Sequence, residues 1–378
     1  VFAPVARIET VRIITAIASK KGWHMHHMDV KSAFLNGPLE EEVYVSQPPG
    51  FEIKGSEEKV YRLNKALYGL KQAPRAWNRR IDGFLMKLGF LKCTTEHGVY
   101  IKGNNTTNLI VVFLYVDDLL VTGNNETEIA NFKGEMTREF EMTDLDLISY
   151  FLGIEFKRTD EAVIMYQGRY ARDVLKKFRM VDCNSADTPI ATGVNLVKDP
   201  NEEEVDVLSI MVLCFPVLPK NVMFWDIVIL IGVEIRVIGR AQQVMCSSMV
   251  MPQSRGAQRR NKWWLSPHEA EYIAAAMAAC QAQWLDNIFG ELKMKEKGAI
   301  TMMVDNKSAI NLAKHPVAHG RSKHIETRFH FLREQVTKGK LSVKYCPTTV
   351  QVADIFTKPL KIDQFKELRS RLGVIEVQ

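Results

Sequence analysis

The spacing of apolar residues predicts alternating helices and strands over the first half of the chain. Apolar side chains recur at helical spacing along Ile8–Lys20 and Ala76–Leu88. Runs such as Leu109–Val116 are rich in β-branched residues instead, which is typical of buried strands. This texture continues from Val1 to about Asp182.

The middle of the chain has a different texture. Thr188–Asp206 is polar and predicts a linker. Val207–Val233 is almost uniformly apolar, but Pro216, Pro219 and two charged residues divide it into pieces shorter than the roughly 20 residues that a membrane span needs. Arg236–Asn261 has neither a helical nor a strand period. We therefore expect no membrane span at Val207–Val233 and no regular fold element at Arg236–Asn261.

Regular patterns return after His268. A helix is predicted first, with one face formed by Ile273, Met277, Cys280 and Trp284. Strands are predicted at Ala299–Val304 and Leu341–Tyr345.

Composition narrows the class of protein only slightly. The 378 residues carry a formal net charge of +6, which permits a nucleic-acid partner through neutralisation of phosphates. Six cysteines show neither paired nor zinc-type spacing, so we expect reduced thiols in a soluble intracellular protein. The chain begins at Val1 without a signal peptide, and we expect it to be part of something longer.

The sharpest local signal is the sequence Tyr115-Val116-Asp117-Asp118 between two apolar runs. A hairpin would present both aspartates at its tip. Adjacent carboxylates repel each other unless a cation lies between them, and two-metal phosphoryl transfer uses such oxygen ligands for Mg²⁺. An ordinary hairpin turn, in which aspartate is common, explains the same residues.

A second candidate carboxylate is Asp29, placed where a strand would end and a helix begin. A helix N-cap with Ser32 nearby is the simpler alternative. Phe34 favours a nucleotide site, because an aromatic ring at that distance could lie under the sugar of an incoming nucleotide and exclude a 2′-hydroxyl.

Together these motifs resemble the copia-type reverse transcriptase family. The matching segments keep the family's order and spacing over nearly all of Val1–Pro189, and they are Phe2–Arg7, Asp29–Phe34, Gln47–Phe51, Ala66–Trp77, Tyr115–Asp118 and Tyr150–Glu155. The resemblance implies an α+β fold: a reverse transcriptase palm, which is a four-stranded antiparallel sheet with packed helices, and then a helical thumb near Tyr166–Met180. It implies an RNA-directed DNA polymerase that uses Mg²⁺ or Mn²⁺, deoxynucleotides, a DNA primer and an RNA template.

The resemblance also implies roles for single residues. The catalytic metal ligands would be Asp29, Asp117 and Asp118. Contacts to the nucleotide are implied for Phe34, Gln72 and Tyr115. Tyr150–Glu155 would help to position the primer end. The family's basic fingers segment would precede Val1, and we expect its absence to weaken nucleotide binding.

Basic residues around the start of the second predicted helix could follow a phosphate backbone. Lys71, Arg75 and Arg79 lie four apart, so they would share one helical face. A solvated helix surface is the alternative, and it is favoured more for Arg79 than for Lys71.

The last third of the chain resembles the RNase H domain of the same polyproteins. The matching segments are Ser266–Tyr272, Val304–Ala309, Ser322–Ile325 with Arg328 and His330, and Val352–Lys358. Three of the four metal-holding carboxylates would be Glu269, Asp305 and Asp354, and contacts to an RNA–DNA hybrid are implied for Lys323, His324 and Arg328. A helix capping box, with Ser266 as N-cap, is the alternative for Glu269.

The family's fourth carboxylate, in a D-x-D-W-A-G motif, is missing from this sequence. A shifted reading of the codons compatible with Val237–Trp264 can restore that motif in order and length. We therefore interpret residues 188–266 as a linker followed by a segment that fits an out-of-frame translation. The interpretation predicts a truncated α/β RNase H-like domain without RNase H activity.

The sequence thus predicts three regions: palm and thumb at 1–187, linker and garbled segment at 188–266, and the RNase H-like part at 267–378. Three functions stay open: a working polymerase, a non-catalytic nucleic-acid-binding remnant, and an inert relic of a decayed element. The family resemblance would place the chain in a cytoplasmic particle or the nucleus.

Overall fold

In a computed structural model of the chain, the described residues are 3–103, 108–160, 162–184, 186–188, 218–219, 267–295, 298–305, 307–314, 330–356 and 358–374. For residues 218–219, 267–271, 273, 274 and 356, only the backbone is described. They divide into two compact units, residues 1–151 with 291–294 and residues 152–290 with 295–378. The division falls inside the region predicted as palm and thumb, and the boundaries at 187 and 266 stay predictions.

A six-stranded antiparallel sheet organises the first unit, with strand order β4-β5-β6-β7-β1-β8. Its strands are β1 Met25–Val30, β4 Leu91–Lys92, β5 Val99–Lys102, β6 Ile110–Tyr115, β7 Asp118–Gly123 and β8 Met142–Leu147. A separate ribbon pairs β2 Tyr44–Ser46 with β3 Val60–Arg62, and β9 is Tyr150–Phe151. The predicted antiparallel sheet is confirmed. The expected number of four strands was wrong, because β4 and β5 extend the sheet beyond β6.

Three helices belong to this unit, α1 Ile8–Lys21, α2 Ala73–Lys87 and α3 Glu126–Glu139, with a 3-10 helix at Ala33–Asn36. The helical predictions for Ile8–Lys20 and Ala76–Leu88 are thereby confirmed. α1 ends at Gly22, whose left-handed φ of 70° lets its amide bond back to Ala18 and Ser19, a common helix stop.

The core of the first unit lies between the sheet and the helices α2 and α3. Apolar side chains of β1, β6 and β7 that share one face of the sheet pack with Trp77, Ile81 and Leu85 of α2 and with Phe132 and Met136 of α3. Burial of β6 and β7 on both faces explains why their sequence is a nearly continuous apolar run.

The second unit contains a short antiparallel sheet and a parallel pair. The antiparallel strands are β10 Ile154–Arg158, β11 Ala162–Tyr166 and β12 Leu218–Pro219, and the parallel strands are β13 Ile300–Val304 and β14 Leu341–Tyr345. The helices are α4 Gly168–Lys177, α5 Pro267–Glu291, α6 Lys307–Lys314, α7 His330–Thr337 and α8 Ile362–Arg371, and a 3-10 helix spans Val352–Phe356. The predicted strands and the helix within Tyr166–Met180 are confirmed, whereas the RNase H-like assignment stays a prediction.

The face that α5 buries differs from the predicted one. Cys280 is exposed and Met277 and Trp284 are only half-buried. Instead, Tyr272 and a series of small residues enter the core with β13, β14 and α6: Ala275, Ala276, Ala279 and Ala282. The prediction was wrong because alanine lets a helix approach its neighbours closely, which a count of large apolar residues does not register.

Among the described residues, no helix is both long and apolar enough to cross a membrane. Apart from Leu218–Pro219, the apolar stretch at 207–233 and the aperiodic one at 236–261 lie outside the described residues.

Candidate active site

The hairpin between β6 and β7 places two aspartates at one end of the sheet. Tyr115 pairs with Asp118 across the hairpin, so Val116 and Asp117 form a two-residue turn. Val116 has a positive φ of 57°, which the twist of a tight hairpin favours but which costs a β-branched residue roughly 1–3 kcal/mol. The indole Nε1 of buried Trp77 donates a hydrogen bond of 2.6 Å to the Val116 carbonyl oxygen and holds the turn.

The neighbouring strand β1 brings the third carboxylate. Asp29 lies directly opposite Asp118 in the antiparallel register, and the Val30 amide donates to the Asp117 carbonyl oxygen at 3.0 Å. Side chains directly opposite each other on antiparallel strands have Cβ atoms roughly 4.5–5.5 Å apart. The structure thus brings together the three predicted carboxylates.

Electrostatics at this end of the sheet disfavour three negative charges. Burial raises the pKa of Asp117 most strongly, a backbone hydrogen bond lowers it in part, and the negative charges of Asp118 and Asp29 raise it further. The net effect is a carboxyl group that ionises less readily than an ordinary aspartate. A cation beside it would reverse this effect.

His27 is a site residue that the sequence reasoning missed. Its Nε2 lies 2.8 Å from Asp118 Oδ1, and its ring packs edge-on against Phe151 with centroids 5.1 Å apart. Strand alternation could have found it, because residues 27 and 29 of a strand share one face.

The chemistry of the three carboxylates fits Mg²⁺ or Mn²⁺, which prefer hard oxygen ligands. Within the described ranges, however, no three His, Cys, Asp or Glu side chains already stand at the spacing of a metal site. The structure therefore brings together three suitable metal ligands, Asp29, Asp117 and Asp118. Their side chains are not yet arranged as they would be around a bound ion.

The predicted nucleotide contacts lie on two short segments of the first unit. Phe34, on the 3-10 helix that follows β1, packs against the Tyr68 ring with centroids 4.5 Å apart and planes 40° apart. Gln72 is half-buried directly before α2, and its carbonyl oxygen accepts from the Ala76 amide at 3.0 Å. Tyr115 is half-buried at the end of β6. Tyr68 belongs to Ala66–Trp77, one of the segments that resemble the family, but its contact with Phe34 could not be predicted from the sequence.

The predicted basic face is only partly available. Lys71 and Arg75 are exposed, Lys71 in the turn before α2. Arg79 forms an ion pair with Glu40, and the hydrogen bond and charge of Arg79, aided by the charge of Arg75, lower the pKa of Glu40. Arg79 thus fits the alternative of a solvated helix surface. Lys71 and Arg75 remain candidates for binding a phosphate backbone.

The second unit brings together two of its predicted carboxylates. Asp305 directly follows β13 and Asp354 lies on the 3-10 helix, and the Lys358 ammonium lies 3.4 Å from Asp305 Oδ2 and 2.8 Å from Asp354 Oδ2. Glu269 lies in the first turn of α5, where only the backbone is described. Lys323, His324 and Arg328 lie outside the described residues.

Comparison with known proteins gives a family for the first half of the chain and relatives that match nearly all of it. Residues 1–192 match the family described as reverse transcriptase (RNA-dependent DNA polymerase). The retrovirus-related Pol polyprotein from transposon TNT 1-94 of Nicotiana tabacum is 30% identical over 99% of this chain and 32% of its own length. That from transposon RE1 of Arabidopsis thaliana is 30% identical over 100% of this chain and 29% of its own length.

A more distant relative is the transposon Ty1-BL Gag-Pol polyprotein of Saccharomyces cerevisiae, 27% identical over 38% of this chain and 8% of its own length. The chain spans about a third of the length of the two plant relatives, 32% and 29%. The family resemblance seen in the motifs is confirmed. The chain belongs to the reverse transcriptase family of copia-type, retrovirus-related Pol polyproteins.

Proposed function

We propose that the first unit catalyses RNA-directed DNA synthesis through a divalent-metal site formed by Asp29, Asp117 and Asp118. Family membership supports polymerase chemistry, a general dependence on divalent metal, and binding of a nucleic-acid template and primer. The observation that carries the residue assignment is the register that sets Asp29 opposite Asp118, with Asp117 next to it at the hairpin turn.

The chain's own residues supply position and charge. Asp29, Asp117 and Asp118 would hold the ions, and His27 fixes one oxygen of Asp118 through its hydrogen bond. When bound, Mg²⁺ or Mn²⁺ would lower the pKa of the attacking 3′-hydroxyl and stabilise the leaving pyrophosphate.

Substrate selection is assigned to the residues around this end of the sheet. The Phe34 ring, supported by Tyr68, would lie under the deoxyribose and exclude a 2′-hydroxyl. Gln72 would contact the nascent base pair, and Lys71 with Arg75 would neutralise phosphates of the RNA–DNA hybrid.

The test is primer extension by the full chain on an oligo(dT)-primed poly(rA) template with Mg²⁺ or Mn²⁺. The Asp117→Asn/Asp118→Asn variant should lose extension. Asp146→Asn is the matched control, since Asp146 is exposed on β8 and asparagine tolerates its left-handed φ of 57°. Extension that survives in the double variant would contradict the proposal.

A non-catalytic nucleic-acid-binding remnant and an inert relic remain as alternatives. If soluble, folded chain gives no extension, salt-dependent binding of an RNA–DNA hybrid separates the two, because phosphate contacts weaken as salt rises. Hybrid binding that falls with salt supports the remnant, and its absence supports the relic.

For the second unit we propose that RNase H chemistry is absent. The sequence lacks the family's first-strand carboxylate, and the ammonium of Lys358 lies between Asp305 and Asp354. Hybrid cleavage that disappears on Asp305→Asn would overturn this part.

A further inference from the structure

The carboxylates Asp305 and Asp354 come from distant parts of the sequence and meet at one cation. Asp305 follows the last residue of β13, and Asp354 lies on the 3-10 helix after β14. Lys358 reaches both, at 2.8 Å from Asp354 Oδ2 and 3.4 Å from Asp305 Oδ2. The amide of Lys358 also donates to the Asp354 carbonyl oxygen at 2.9 Å, which tethers the ammonium beside the pair.

Asp354 is the most deeply buried carboxylate of the ion pairs described in this unit, and Asp305 is partly buried. The Asp354 side chain is 3% exposed and that of Asp305 14%, whereas Lys358 keeps 39% of its side chain exposed. In the part of the chain that the structure describes, no donor reaches Asp354 Oδ1, which is buried. A buried carboxylate oxygen without a partner is costly, and a cation that bound both oxygens would remove that cost.

The charges of Asp305, Asp354 and Lys358 determine which ions can bind between them. Two carboxylates carry about −2, so one ammonium leaves a net charge near −1, and a second cation beside the ammonium would meet its repulsion. Lysine is protonated at neutral pH, so the Lys358 side chain places a positive charge next to both carboxylates. As they stand, these residues do not fit a divalent metal site, because the ammonium of Lys358 already lies within 3.4 Å of both carboxylates.

We propose that the Lys358 ammonium takes the place of a divalent cation between Asp305 and Asp354, and that removing it turns the pair into a binding site for Mg²⁺ or Mn²⁺. The inference goes beyond the polymerase function and does not depend on it. It assigns Lys358 as a built-in counter-ion that keeps this unit folded without metal and excludes metal from it.

The test is equilibrium Mn²⁺ binding by the full chain, measured from the electron paramagnetic resonance signal of free Mn²⁺. All variants carry Asp117→Asn and Asp118→Asn, so that the first unit contributes little binding. Lys358→Met is compared with Lys338→Met, the matched control, because Lys338 pairs with Glu334 at the same spacing of four residues but on the surface.

Lys358→Met should gain one Mn²⁺ site, at least tenfold tighter than any in the background, and Lys338→Met should gain none. Adding Asp354→Asn to Lys358→Met should abolish the new site, and Lys358→Arg, which keeps the charge, should not create it. A folded Lys358→Met chain that binds no more Mn²⁺ than the background would overturn the proposal. So would a background that already holds Mn²⁺ through Asp354.

Circular dichroism covers the case in which Lys358→Met fails to fold. Recovery of the fold on adding either Mn²⁺ or Asp354→Asn supports the counter-ion role, because each removes the unpaired buried charge. A chain that stays unfolded under both conditions contradicts it.

Discussion

At the scale of single residues, the pKa of the candidate metal ligand Asp117 is raised above that of an ordinary aspartate. Its pKa is raised by burial and by the neighbouring charges of Asp118 and Asp29. An acid whose folded-state pKa is raised destabilises the folded chain above that pKa and has no such effect at a pH where both states are protonated.

Asp117→Asn should therefore stabilise the metal-free chain at neutral pH. Because Asp117 is partly solvated, we expect a gain of only about 0.3–1 kcal/mol in the free energy of unfolding. The gain should shrink as the pH falls through the range where aspartate becomes protonated, and saturating Mg²⁺ should reverse its sign. Urea unfolding with EDTA or with Mg²⁺, across pH, measures this. A destabilised variant at neutral pH in EDTA would contradict the electrostatic account.

Phe34 supports a second prediction at this scale. Phe34→Val should open space beside the sugar and raise incorporation of UTP relative to dTTP by roughly 10–100-fold. The specificity constants kcat/KM for both nucleotides on poly(rA) measure the ratio. Tyr68→Phe is the control, because it keeps the ring that packs against Phe34. An unchanged ratio in Phe34→Val would remove Phe34 from sugar discrimination.

At the scale of elements, the β6–β7 hairpin depends on a helix outside it. The Trp77 indole on α2 donates to Val116, whose left-handed φ sets the turn. The helix thereby holds the hairpin tip at the position where β1 presents Asp29.

Trp77→Phe should loosen this turn. The carbonyl oxygen of Val116 loses its donor, and the loss of one such hydrogen bond costs about 0.5–1.5 kcal/mol of stability. Primer extension should fall by more than the loss of folded protein explains, because the aspartates follow the turn. Trp23→Phe, at the opposite end of β1, is the control for replacing a tryptophan. Full activity in a destabilised Trp77→Phe chain would show that the turn does not position the site.

Sequence periodicity was sufficient for these elements but not for their contacts. The hairpin could be predicted because its signal lies in consecutive residues: an apolar run that ends at Leu114, followed closely by two aspartates. The contacts of His27 with Asp118 and of Trp77 with Val116 depend on cross-strand register and on helix packing, which a single sequence does not encode locally.

At the scale of the whole molecule, the sequence motifs predicted the site residues of the first unit more completely than those of the second. In the first unit, the matched segments anticipated all three carboxylates, and the structure brings them to one end of one sheet. In the second unit, Asp305 and Asp354 were anticipated, but Lys358 was seen only as part of a motif. Its role as their shared cation follows from the fold that brings β13 next to β14.

The most direct measurement is single-nucleotide incorporation by Asp29→Asn, Asp117→Asn and Asp118→Asn, each alone and in pairs, under single-turnover conditions with Mg²⁺. Each single variant should lose about 10³-fold in rate, or roughly 4 kcal/mol, and the pairs should lose little more because the three act as one site. Near-normal incorporation by Asp29→Asn, or losses that multiply independently, would contradict the account of a single metal-binding unit.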